Sequence, residues 1–141
     1  MQFELVAEGL QFPEGPIAMA DGSVVLVEIQ RQSLTRVRPD GSQEIIAHLG
    51  GGPNGAAVGP DGAVYVTNNG GFQWNVADGL TLPHGQPDDY VSGSIQRVDL
   101  KTGAVSMVYD SCDGAAQRDP VAGVIDCGDR AGLHVDPLDR A

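Results

Sequence analysis

Two residues with oxygen donors stand at the same place in two copies of one segment. Residues 13–29 read PEGPIAMADGSVVLVEI, and residues 53–69, 40 positions later, read PNGAAVGPDGAVYVTNN. Pro13 matches Pro53, Gly15 matches Gly55, Asp21-Gly22 matches Asp61-Gly62, and Val24 and Leu26 match Val64 and Val66. Glu14 in the first copy corresponds to Asn54 in the second. A carboxylate and an amide both present oxygen acceptors. Brought to one axis by neighbouring repeats, such donors suit a hard divalent cation or a sugar hydroxyl. The plain readings are a Glu14 that bonds loop amides beside Gly15 and an Asn54 that stabilises the Pro53-Asn54-Gly55 turn.

Other side chains join this pair with less force. Asn68 and Asn69 end the second copy and either face the same mouth or form a turn. Phe72 and Trp74 follow and either wall a sugar pocket or anchor a loop. Glu28 reads as a carboxylate that satisfies backbone amides rather than as a ligand. Arg36 and Arg97 read as structural partners of acidic residues in their own repeats. His48, His84 and His134 share no motif, and His84 reads as a solvated loop residue. No Gly-x-Ser-x-Gly elbow and no phosphate-binding Gly loop is spelled out. Asp110-Ser111-Cys112-Asp113-Gly114 lacks the spacing of a helix–loop–helix calcium site and reads as a turn. Cys112 and Cys127 have no zinc-ligand spacing. They read as free, reduced thiols, with a disulfide between them as the lesser alternative, and a cytoplasmic location is expected from the first.

The elements that must position these residues are short strands. Phe3–Ala7 reads as a strand, and Ser23–Ile29 as one buried on both faces, being nearly continuous in apolar residues. Leu34–Arg38 alternates, with Leu34 and Val37 as inward anchors, and Glu44–Leu49 follows the turn at Pro39-Asp40-Gly41. Asp-Gly steps at 21–22, 40–41 and 61–62 supply the positive φ that hairpin turns require. A second correspondence joins SLTRVR at 33–38 to SIQRVD at 94–99, now 61 positions apart. The additional 21 positions locate an insertion at about residues 70–92, rich in Gly, Pro and Asp and holding the only Trp. A repeat of about 40 residues built from strands and tight turns predicts a stacked or propeller-like all-β array.

Composition narrows the partners. The 141 residues carry 8 basic and 19 acidic side chains, a net charge of −11. That balance repels phosphate backbones, excluding nucleic acid, and favours divalent cations near carboxylates. Gly (20) and Pro (9) together exceed a fifth of the chain, as many short strands and turns demand. No apolar run is long enough for a membrane helix, and the N-terminus, with Glu4 and Glu8, does not read as a secretory signal.

Taken in order, LQFPEGP (10–16), PNGAAVGPDGAVYVTNNGGFQW (53–74), GQPDDY (85–90), GSIQRVDLKTG (93–103) and YDSCDG (109–114) resemble the opening of the senescence-marker-protein/gluconolactonase/luciferin-regenerating family, with bacterial sugar lactonases the nearest group. The resemblance implies a partial six-bladed β-propeller of about two to two and a half antiparallel four-stranded blades. It implies residues 1–120 as the N-terminal portion of the domain, with the insertion at about 70–92 and a divergent tail at 121–141. It implies divalent-metal-dependent hydrolysis of a sugar lactone to an aldonic acid, with Ca²⁺ as the first choice and Zn²⁺, Mg²⁺ or Mn²⁺ as alternatives. Glu14 matches the family's first-blade metal ligand and Asn54 its second-blade substrate-side Asn; Asn69 and Trp74 are placed with Asn54 as substrate contacts. Val121 stands where a further Asn ligand is expected, and the ligating and general-base Asp falls beyond Ala141. A frameshift after about residue 120 is therefore the expected cause of the divergent tail, with a genuine divergent end as the alternative. The chain alone is expected to be inactive. The rival reading is a non-catalytic binding or assembly module that self-associates through open blade edges.

Overall fold

The duplicated segment folds twice into the same hairpin. The computed structural model describes residues 2–112, 117–118 and 125–126. In the first copy, β1 (Pro13–Ala18) pairs with β2 (Val24–Glu28), and β3 (Ser33–Val37) and β4 (Gln43–His48) complete an antiparallel sheet in the order β1-β2-β3-β4. In the second, β5 (Pro53–Val58) pairs with β6 (Val64–Asn68). The chain then leaves the sheet for a small hairpin, β7 (Trp74–Ala77) and β8 (Leu80–Pro83), and returns as β9 (Gly93–Val98) and β10 (Val105–Cys112), giving the order β10-β9-β6-β5. A two-residue pairing, β11 (Gln117–Arg118) with β12 (Ile125–Asp126), follows. Among the described residues there is no helix, and so none long and apolar enough to cross a membrane.

One turn device is used four times. Asp21, Asp40 and Asp61 each accept the backbone N–H two residues on, from Ser23, Ser42 and Ala63, and Asp99 accepts those of Lys101 and Thr102. The first three are each followed directly by a glycine at positive φ, as in Gly22 (81°) and Gly62 (76°), and in the fourth loop the glycine is Gly103 (71°), four residues after Asp99. The Asp residues of these turns do not share that conformation. The first three loops are therefore type I turns closed by a left-handed glycine, not the two-residue turns in which both central residues have positive φ, while in the fourth the Gly103 N–H donates to the Asp99 carbonyl four residues back. Asp78-Gly79, at φ 53° and 76°, is of the two-residue kind and makes the β7–β8 hairpin inside the segment that the sequence marks only as an insertion.

These turn carboxyls carry a pH dependence. Asp21 and Asp40 are held below the ordinary carboxyl value of 3.8 by the serine two residues on, Asp61 chiefly by the hydrogen bond from Arg97, and Asp99 by the amides of Thr102 and Lys101. A carboxyl depressed in the folded state contributes stability above its unfolded pKa, and that stability is lost as pH falls through the folded value. The urea midpoint is expected to be flat above about pH 5 and to drop below about pH 4, with Asp61→Asn reducing the drop. An acid limb unchanged in Asp61→Asn would contradict this assignment.

Both faces of β2 are covered, as its apolar run predicts: Val25, Leu26, Val27 and Glu28 are all buried. Val25, Val27 and Leu34 of the first sheet join Ala56, Val64, Val66 and Val98 of the second in one core. Full burial of each such aliphatic side chain contributes about 1.5–3 kcal/mol relative to exposure. Leu34 and Val37 are inward anchors, as expected. The sheets approach most closely at their first strands, where a Cβ added to Gly15 would lie 2.8 Å from the Ala56 N and 3.1 Å from the Gly55 Cα. Two four-stranded sheets that share a core and meet along their first strands are adjacent blades, so the protein is a partial β-propeller.

Phe3–Ala7 is not a strand. Phe3 and Leu5 are largely exposed. The segment that follows is tied to the first blade by single bonds instead: Gln43 Nε2 donates to the Glu8 carbonyl (2.7 Å) and Arg31 to that of Gly9 (2.8 Å). An alternating sequence becomes a strand only where an edge accepts its ladder, and no described strand pairs with this one.

Candidate functional site

Antiparallel pairing sorts the chain into two rims. Pro13 lies opposite Glu28, Glu28 opposite Ser33, and Ser33 opposite His48. In the second blade Pro53 lies opposite Asn68 and Asn68 opposite Ser94. Glu14, Asn54, Asn69 and both ends of the insertion therefore share one rim, while the four aspartate turns occupy the other. Glu14 and Asn54 each precede a glycine of the seam between β1 and β5, so they flank that seam from adjacent blades.

Glu14 is exposed and makes no hydrogen bond or ion pair among the described residues. Asn54 is half-buried, and its side-chain oxygen accepts a hydrogen bond from the Thr67 hydroxyl at 3.0 Å, which fixes its orientation. The Asn69 oxygen accepts the Gly71 N–H at 2.9 Å, and a Cβ on Gly52 would collide with it. Its visible work is thus to shape the start of the insertion. Trp74 packs on Phe12 at 5.0 Å between ring centroids and edge-on against Phe72 at 5.9 Å. That stack clamps the insertion to the blade-one segment leading into Glu14.

The rim is built on two buried polar anchors at equivalent repeat positions. Glu28, fully buried, accepts the Gln11 N–H and the Thr35 hydroxyl, both at 2.6 Å, and pairs with Arg31 at 3.1 Å. It satisfies backbone and hydroxyl donors, as its sequence position suggests. Asn68, 40 residues later, accepts the N–H groups of Gly52 and Gly70 and donates to the Gly50 carbonyl and the Gln96 amide oxygen. Buried polar atoms without partners are costly, so these saturated groups hold the connecting loops in one arrangement.

A groove of about 420 Å³ opens on the same rim but away from the seam. It lies between Gln32 and Leu49 of the first blade and Phe72, Asp89, Ser94 and Met107 of the second. Glu14 and Asn54 do not line it. Phe12, Ser94, Gln96 and Asp89 escape a reading of the sequence. Phe12 lies within the LQFPEGP motif, but its ring partner is 62 positions away. Gln96 gains its role only when β9 is laid beside β6.

Of the remaining candidates, Arg97 pairs with Asp61 at 2.7 Å on the opposite rim. Arg36, its counterpart, lies close enough to Asp21 to favour the ionised carboxyl, but its Nε has no hydrogen-bond partner. His48 and His84 are exposed, the latter in the insertion. The Cys112 side chain, Val121, Cys127 and His134 lie outside the described residues, as does most of the tail.

A cation centre needs more donors than the seam provides. Among the described residues no group of three His, Cys, Asp or Glu side chains could hold a metal ion. A calcium ion takes six to eight oxygens, and magnesium a near-octahedral set. One carboxylate and one hydroxyl-bound amide do not fit as a complete centre.

The family model described as the SMP-30/Gluconolactonase/LRE-like region matches residues 12–127. No curated protein matches the chain.

Proposed function

The chain belongs to the SMP-30/gluconolactonase/LRE-like family, and on that premise we propose that it serves the divalent-cation-dependent hydrolysis of a sugar lactone to its aldonic acid. The observation that carries this reading is the placement of Glu14 and Asn54 on one rim, flanking the seam where Gly15 meets Gly55 and Ala56. Glu14 is the cation ligand, its exposed carboxylate an acceptor that no described neighbour uses. Asn54 orients a sugar hydroxyl, its side chain held by Thr67. Asn69 and Trp74 shape the substrate side, the first through the insertion's opening turn and the second through its aromatic stack. Because the described donors fall short of a cation centre, no chemical step is assigned to the ion. Further donors from outside the described residues would have to complete it.

The test is a pH-stat assay of lactone hydrolysis with Ca²⁺, Zn²⁺, Mg²⁺ or Mn²⁺, alongside calorimetric Ca²⁺ titration. This chain alone is expected to stay near the spontaneous rate. Its Ca²⁺ affinity is expected to fall about 10-fold or more in Glu14→Gln, since ligand charge tunes such sites. Robust turnover that survives Glu14→Gln would overturn the assignment.

A binding or assembly module is the second reading. It is favoured by the edge strand β10, which leaves Val105, Met107 and Val108 exposed. A defined dimer or trimer in size-exclusion mass measurements, with no Ca²⁺ binding sensitive to Glu14→Gln, would move the balance toward it.

A further inference from the structure

The rim groove is chemically unlike the seam. Its floor is rigid: Gln96 donates to the Leu49 carbonyl (2.9 Å) and accepts from Asn68 (3.2 Å), and both side chains are buried. With these bonds made, neither group must reorganise to admit a ligand. One wall is the Phe72 ring, itself held by Trp74 and, through it, by Phe12. Three polar side chains remain at the groove without a hydrogen bond or ion pair among the described residues: the Asp89 carboxylate, the Ser94 hydroxyl and the Gln32 amide. Among the described residues no Lys, Arg or His lines it.

The geometry points to a second site here, which binds a neutral sugar away from the Glu14–Asn54 seam. A carboxylate with no cation beside it accepts hydrogen bonds from two hydroxyls of a diol. An amide and a hydroxyl can donate or accept as each remaining sugar oxygen demands. An aromatic face takes the C–H face of a sugar ring, and the mainly polar remainder of the lining suits a ligand rich in hydroxyls. The volume lies within the ordinary range for small-molecule sites, about 300–1,000 Å³. Charge decides between the two sugar species of a lactonase. A groove whose described lining holds one carboxylate and no cation, in a chain of net charge −11, disfavours an aldonate anion and admits its neutral counterpart. The groove is open and its free groups are few, so millimolar affinity is expected. The polar groups that hold the sugar, Asp89, Ser94 and Gln32, take no part in the catalytic reading; only the Phe72–Trp74 stack is common to both sites.

The only tryptophan, Trp74, touches the wall residue Phe72 and reports on the groove directly. The full chain is titrated with D-glucose and, at matched ionic strength, with sodium gluconate. Trp fluorescence is followed, with saturation-transfer NMR as a second readout. Glucose is expected to saturate with a Kd of about 1–10 mM, and gluconate to bind about 10-fold more weakly. Asp89→Asn is expected to weaken glucose about 5-fold and to narrow the gap to gluconate, because it removes both the strong acceptor and the repulsion. Ser94→Ala is expected to cost about 3-fold. Glu14→Gln is expected to leave glucose binding unchanged, which separates this site from the seam. No saturable signal up to about 100 mM would overturn the inference, as would an unchanged Kd in Asp89→Asn. A loss in Glu14→Gln as large as that in Asp89→Asn would also do so, by placing the sugar at the seam.

Discussion

Gly15→Ala is expected to destabilise the protein by about 2–5 kcal/mol, chiefly by forcing the two blades apart. Two costs add at this position. Gly15 has φ +54°, a conformation that costs an L-residue about 1–2 kcal/mol. The new methyl would also sit 2.8 Å from the Ala56 N and 3.1 Å from the Gly55 Cα, both backbone atoms that cannot swing aside. Overpacking of this kind costs about 1–3 kcal/mol. Against a total stability of about 5–15 kcal/mol, that is a large fraction. Gly62→Ala is the control. Gly62 has φ +76°, and nothing lies within 4 Å of its added Cβ, so it bears the backbone cost alone. Urea unfolding of the two variants therefore isolates the seam. Equal losses would mean that β1 and β5 are not in contact, and the hub geometry of Glu14 and Asn54 would go with them.

Glu28→Ala should cost about 3–5 kcal/mol, the range for removing one member of a buried charge pair. Its carboxylate is fully buried and serves the Gln11 amide, the Thr35 hydroxyl and Arg31 at once. Truncation removes the acceptor of the Gln11 N–H and the Thr35 hydroxyl and the counter-charge of Arg31, and leaves a cavity. Glu28→Gln keeps the shape and one acceptor for Thr35, yet turns a donor toward one of the existing donors, so an intermediate loss is expected. Chemical denaturation of both variants checks the order. If Glu28→Ala matched wild type, the polar anchor would not be what holds the N-terminal segment to the first blade. Glu28 would then return as a candidate ligand on the rim.

The repeat was readable because its cues are local. Alternation along Leu34–Val37, the apolar run of β2 and the Asp-Gly steps constrain φ and side-chain face within a few residues, whatever the rest of the chain does. The common position of Glu14 and Asn54 followed from the 40-residue spacing alone. Phe3–Ala7 has the same local look and still is not a strand, because a ladder needs a neighbour. The Asp78-Gly79 hairpin carries as clear a local signal as the other turns, but it lies in a segment with no counterpart in the first repeat.

What the amino-acid order determined by itself was the blade: four strands, their turns, and which residues sit at equivalent places in two copies. What only the tertiary structure decided was partnership across distance. Asn68 meets Gln96, Phe12 meets Trp74, and the groove opens between Gln32 and Asp89. The physical reason is range. Backbone preference acts over a turn, whereas a buried polar group takes whichever partner the packed blades deliver to it.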